Sequence, residues 1–107
     1  MTAAYDIDDR HVSNAEECLR RVGLWDLVES MRGEWDLADL LGPSRTPPRL
    51  CRVRYAIYAA AYEVRDGEGL RVHSLHELGR LLNRDHTTIA HGMRRYATAK
   101  RPRSRKR

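Results

Sequence analysis

SLHELGRLLNRDHTTIAHGMRRY, residues 74–96, carries two helical periodicities on either side of a short polar break. Ser74 to Glu77 spell a capping box, in which the Ser hydroxyl takes an amide of the first helical turn and the Glu reaches back. Behind it Leu75, Leu78, Leu81 and Leu82 line one side of a short helix, which Asn83-Arg84 breaks. A second helix is expected from about Asp85 to Ala97. On it Thr87, Ala90, His91 and Arg94 recur at i, i+3, i+4 and i+7, while Ile89, Met93 and Tyr96 fall on the opposite side. Two short helices, a turn of about three residues and a polar outer face on the second make the pattern of a helix-turn-helix.

The residue types on that outer face suit DNA. A helix N-terminus offers unpaired amides and a positive dipole end to phosphate, and the hydroxyls of Thr87 and Thr88 can add donors. Arg forks onto guanine, a Thr methyl meets a thymine methyl, His donates to an acceptor, and a carboxylate accepts from the cytosine amino group. All four types occur between Arg84 and Arg94. Asp85 has two readings that stay open here: an N-cap accepting from the amides of Thr87 or Thr88, or a base contact.

Upstream, Ser13 to Glu16 form another capping box, followed by Leu19, Val22, Trp25, Leu27, Val28 and Met31 at near-helical spacing. One helix over 14–32, interrupted at Gly23, is expected. WDLADLL, residues 35–41, predicts a short amphipathic helix ended by Gly42-Pro43 as C-cap and stop. SRTPPR, 44–49, reads as a linker stiffened by Pro47 and Pro48. LCRVRYAIYAAAYEV, 50–64, is apolar almost all round and is expected as the buried central helix. DGEGLRVH, 66–73, is expected as an exposed, mobile loop.

Phe is absent, and Ala, Leu, Arg and Glu dominate the periodic stretches, so the expected class is all-α, a compact helical bundle. The 107 residues suit one small fold, organised as an acidic helical extension over 1–33, a helix-turn-helix domain over 34–99 and a disordered basic tail over 100–107. Residues 1–42 carry ten acids against four Arg, and residues 43–107 sixteen bases against five acids, which puts an anionic partner on the second part. Eighteen of the twenty bases are Arg, the residue suited to bidentate phosphate and guanine contact, although a high-GC genome produces the same bias.

Other classes find little support. Cys18 and Cys51 form no CxxC pair and no structural-zinc cluster. His86 and His91 are five apart, off a common helical face, so no metal site is expected among the histidines. There is no GxxxxGK[ST] loop for a nucleotide, no nucleophile elbow and no zincin helix, so neither an enzyme nor a cofactor is expected. The acidic start has no apolar core of a leader, and AIYAAAY, 56–62, is too short to span a bilayer; a cytoplasmic, nucleoid-associated location follows as the expectation.

SLHELGRLLNRDHTTIAHGMRRY resembles the signature of the C-terminal DNA-binding domain of DnaA, the bacterial replication initiator, with RDHTT, an apolar residue and a His two further on as its most specific part. WDLADLLGPSR is similar to that family's short first helix ending in Leu-Leu-Gly-x-Ser-Arg, and RVRYAIYAAAYE to its Arg-led central helix, so the likeness covers residues 34–97. It implies a compact helical domain, similar to TrpR and the DnaA C-terminal domain, that docks its second helix-turn-helix helix in the major groove of a short asymmetric site. An Arg ahead of the central helix would enter the adjacent minor groove, with Arg54 as the match and Arg52 as the competing register. Arg84, Asp85, His86, Thr87 and Thr88 would sit at bases and flanking phosphates, Ser74, Leu75 and His76 along the backbone, and His91 and Arg95 near the phosphates, while Arg94 joins the DNA-contacting set from its place on the polar stripe of the second helix.

The chain departs from that pattern in a turn one residue shorter before Asp85, a longer loop at DGEGLRV, an added Pro ahead of the central helix, His76 for a Pro and Gly92 for a small Ala. The initiator's ATP-binding module and oligomerising segments have no counterpart. The expectation is therefore a small DNA-binding regulator of transcription or replication that recognises double-stranded DNA without melting it. The alternative is a protein-interaction module, in which Trp25 and Trp35 within residues 1–42 dimerise or grip a host replication or transcription protein.

Overall fold

The computed structural model describes residues 9–43 and 47–100, with side chains described over 12–43 and 47–98. The expectations for the basic tail and for the first half of the 44–49 linker lie outside these residues. Six helices follow one another: α1 Asp9–Arg21, α2 Trp25–Met31, α3 Leu37–Leu41, α4 Pro48–Tyr62, α5 Leu75–Leu81 and α6 His86–Lys100. Among the described residues there is no strand, only an isolated bridge between Arg65 and Arg71. The protein is an all-α bundle. No helix among these residues is long and apolar enough to cross a membrane.

α1 begins four residues before the expected capping box, so Ser13 is interior to the helix and does not start it. The stripe that decides this runs through Val12, Ala15, Leu19 and Val22, and Val12 packs against the core ahead of Ser13. Ser13 stays exposed on the outer face. Glu16–Arg20 and Glu17–Arg21 pairs, at 2.8 and 3.0 Å, support that face at i,i+4 spacing. Gly23, at φ +82°, breaks the chain direction where the sequence marks it, and α2 starts two residues on.

α3 opens on a reciprocal box: the Asp36 carboxylate accepts from the Asp39 amide at 2.9 Å, and that of Asp39 from the Asp36 amide at 3.2 Å. Its end is the expected Gly42 cap, whose amide donates to the Ala38 carbonyl at 2.9 Å. Gly42 is extended, at φ −79° and ψ 176°, because the following Pro43 disfavours helical geometry at the residue before it. Pro47 caps α4 and Pro48 occupies its first turn, where a missing amide costs nothing.

α4 is the central helix, with Leu50, Arg54, Ile57, Tyr58 and Ala61 forming its buried stripe. Leu19, Leu24, Val28, Leu41, Leu50, Leu78 and Ile89 are almost wholly buried, and together they draw on α1 to α6. Each leucine so placed contributes roughly 2 kcal/mol of apolar burial. Because Leu19, Leu24, Trp25 and Val28 belong to the same cluster as Leu78 and Ile89, the N-terminal helices close the core of the C-terminal ones.

The 66–73 segment is more organised than a mobile loop. The Asp66 carboxylate accepts from the amides of Glu68 and Leu70 at 2.8 and 3.0 Å, and Val72 donates to the Val64 carbonyl at 3.2 Å. Arg71 lies 4.0 Å above the Tyr62 ring and donates to its carbonyl at 2.8 Å.

Candidate nucleic-acid interface

α5 and α6 are joined by Leu82 to Asp85, and three residues make this turn tight. Asn83 takes the left-handed conformation at φ 60°, one that Asn tolerates better than most side chains. Its amide group then donates to the Leu41 carbonyl at 3.0 Å. Arg84 donates its backbone amide to the Gly79 carbonyl at 2.7 Å. A Cβ on Gly79 would lie 2.5 Å from the Arg84 carbonyl oxygen, so glycine is what lets α5 and the turn approach this closely.

Ser74 is the N-cap of α5, its hydroxyl accepting from the Glu77 amide at 3.0 Å. Glu77 turns its carboxylate to the buried His73, 3.3 Å from Nδ1. Leu75 packs against the core. His76 is exposed and its ring stacks on that of His86, with centroids 3.9 Å apart. Asp85 accepts from both the amide and the hydroxyl of Thr87, and its backbone carbonyl accepts from Thr88 and Ile89 at 3.0 and 3.1 Å. It is the N-cap of α6. The Thr87 hydroxyl and amide, in that order, hold its carboxyl below the usual carboxylate range.

Ile89 is fully buried, and Gly92 seats α6 against α4, where an added Cβ would come 2.6 Å from the Tyr55 ring and 2.9 Å from that of Tyr58. The opposite side of α6 presents Thr87, Thr88, His91, Arg94 and Arg95, all exposed. Arg52 on α4 and Arg80 on α5 are exposed as well. Neither these two nor Arg94 and Arg95 have a hydrogen-bond or ion-pair partner among the described residues.

The two other arginines of the expected set, Arg54 and Arg84, turn toward the end of α3. Arg54 is only 5% exposed. Its Nε donates to the Leu40 carbonyl at 3.1 Å, and its Nη2 to those of Asp39 and Gly42 at 2.6 and 3.0 Å. Arg84 is half-buried and donates through Nη1 to Leu41 at 2.9 Å and through Nη2 to Gly42. Helix carbonyls at a C-terminus lack intrahelical donors and carry partial negative charge. The two guanidinium groups supply donors to these carbonyls. Burial first, and then the neighbouring Arg84, lower the pKa of Arg54, which a guanidinium tolerates without losing its charge. Of the two registers for an Arg ahead of the central helix, only Arg52 has an outward side chain.

Tyr55, Tyr58, Cys51 and Arg80 were not singled out by the sequence. With Arg54, Arg84, Thr87, Thr88 and His91, the first three line a cleft of about 520 Å³ between α4 and α6. Arg80 was legible as the residue one turn after His76. Comparison of the chain with family models, curated proteins and solved structures finds no match.

Proposed function

We propose that the protein is a sequence-specific double-stranded DNA-binding regulator that reads a major groove with α6. The observation that carries this reading is the exposed stripe of Thr87, Thr88, His91, Arg94 and Arg95, on a helix held against α5 by a tight turn. Donors, a methyl-bearing hydroxyl and guanidinium forks recur along one face at the spacing of base edges and phosphates. The likeness of RDHTT and its surroundings to the DnaA DNA-binding domain adds to it. Arg52 takes the role of the flanking minor-groove arginine in this reading, since Arg54 is committed to α3. Ser74 and His76 lie at the start of the preceding helix, where backbone contacts are expected.

The acidic half offers less to a protein partner than its composition suggests. Trp25 is buried, and Arg20 stacks over it at 4.9 Å. Glu16, Glu17, Glu29 and Glu34 each pair with an arginine of this chain. We therefore favour DNA over a protein-interaction role.

Selection of bound duplexes from a random library at physiological salt tests the proposal. Enrichment of one short asymmetric sequence is the expected result, followed by roughly 1 to 3 kcal/mol of lost discrimination when Thr87 or Arg94 is truncated. A library that emerges without any enriched sequence overturns it.

A further inference from the structure

The cleft between α4 and α6 has an unusual charge balance. Its described lining residues include Arg54 and Arg84 but no carboxylate. Arg54 is 5% exposed, has no acidic partner among the described residues, and its Nη1 meets only the Cys51 sulfur at 4.0 Å. Sulfur is a weak acceptor, so this one nitrogen of an otherwise carbonyl-bonded guanidinium is weakly satisfied beside open space. Thr88, in the first turn of α6, faces the same cleft, and the rings of Tyr55 and Tyr58, 6.2 Å apart and tilted, form a wall. A volume of about 520 Å³ is more than a phosphate group fills alone, and the tyrosine wall suits a planar ring.

We infer that this cleft is a nucleotide-phosphate subsite, in which Arg54 Nη1 and the Thr88 hydroxyl take the phosphate oxygens and Tyr55, the partly exposed ring of the wall, takes the attached sugar or base. The phosphate comes either from the backbone of a bound duplex or from a free nucleotide that competes with it. This rests on the DNA-binding reading for the first source only. A bound phosphate supplies the negative charge that the described lining lacks, and charge-assisted bonds from a guanidinium are the strong kind. It also couples the subsite to the reading helix, because Thr87, Thr88 and His91 border both.

Cys51→Asp puts a carboxylate where the sulfur now meets Arg54 and fills the role of the ligand internally; Cys51→Ser is the uncharged control. Thermal stability and amide shifts of the full chain are followed with inorganic phosphate, deoxyadenosine monophosphate and the selected duplex, each against chloride at matched ionic strength. The expected result is binding to the parent and Cys51→Ser that weakens roughly tenfold in Cys51→Asp, with the helical spectrum of all three alike. Loss for the free phosphates assigns the site to a small ligand, and loss for the duplex alone assigns it to the DNA backbone. Equal affinity of parent and Cys51→Asp for every probe overturns the inference. If Arg95→Ala still weakens the duplex in that case, the DNA-binding reading stands without the subsite.

Discussion

Arg54 and Arg84 close on one acceptor: both guanidinium groups donate to the carbonyl oxygen of Gly42, Arg54 through Nη2 at 3.0 Å. Two residues of the basic half, thirty positions apart, thereby hold the end of a five-residue helix from the acidic half. Arg54→Ala takes the side-chain donor from the Asp39 carbonyl and leaves those of Leu40 and Gly42 to Arg84 alone, and should cost about 3 kcal/mol in denaturant unfolding. Arg54→Lys should recover little, since an ammonium cannot fork onto three carbonyls. Arg52→Ala should stay within about 0.5 kcal/mol of the parent. Equal stability of the Arg52 and Arg54 variants rules out the clamp.

The same pair separates folding from binding. Arg52→Ala is expected to weaken the selected duplex roughly tenfold and to relax its preference at one flank, as a groove-inserted arginine does. Affinity and flank preference unchanged in that variant exclude Arg52 from the groove.

Asp85 gives the protein an acid-sensitive element. Its folded pKa is depressed, chiefly by the Thr87 hydroxyl and then the Thr87 amide. The stabilisation it brings is therefore complete above the unfolded carboxylate value and disappears as pH falls through the lower folded one. Asn is also a good N-cap but does not titrate, so the melting-temperature advantage of the parent over Asp85→Asn should shrink through that acid range. A constant difference between the two across it removes the linkage. In duplex binding, Asp85→Asn should alter the ratio of affinities among point variants of the site if the carboxylate also contacts a base.

Two glycines mark close approaches of different kinds. Gly79→Ala sets a methyl 2.5 Å from a backbone oxygen, which only a shift of the turn can relieve. Gly92→Ala meets tyrosine rings, whose side chains have more freedom to move. Both should destabilise, within about 1 to 3 kcal/mol, with Gly79→Ala the worse. Unfolding midpoints in the opposite order refute the assigned tightness of the turn.

Salt dependence counts phosphate contacts. Replacing Arg94, Arg95 or Arg80 singly with Ala should lower the slope of log affinity against log salt by about 1 wherever that arginine meets a phosphate. A variant that weakens binding with the slope intact reads a base instead.

Much of the architecture could be read in the chain. Ser74 and Asp85 start helices where local chemistry demands it, and the 3.6-residue spacing of Ile89 and Met93 against His91 and Arg94 sorts the faces of α6 correctly, whereas Pro48 and Arg49, read as linker, belong to α4. What was hidden depended on partners far away in sequence. Ser13 looks like a cap until Val12 is seen to pack against the core. Arg54 reads as an outward arginine until α3 is found to end on an extended Gly42, whose carbonyl accepts from it in a pairing no local pattern announces. Trp25 reads as an adhesive surface residue, yet it belongs to the common core, with Arg20 over its ring.

The clamp also has a consequence in time. Asn83 and Arg84 reach back across 42 and 43 residues to the Leu41 carbonyl, so the turn ahead of α6 depends on hydrogen bonds between segments far apart in the chain. Contacts of such separation require closing a long loop before they return any energy. α5 and α6 can nucleate as local helices, but their mutual angle is set only once the α3 terminus has docked. A chain leaving the ribosome thus completes the arrangement of α5 and α6 last, and folding rate should respond to Asn83 and Arg84 far less than unfolding rate does.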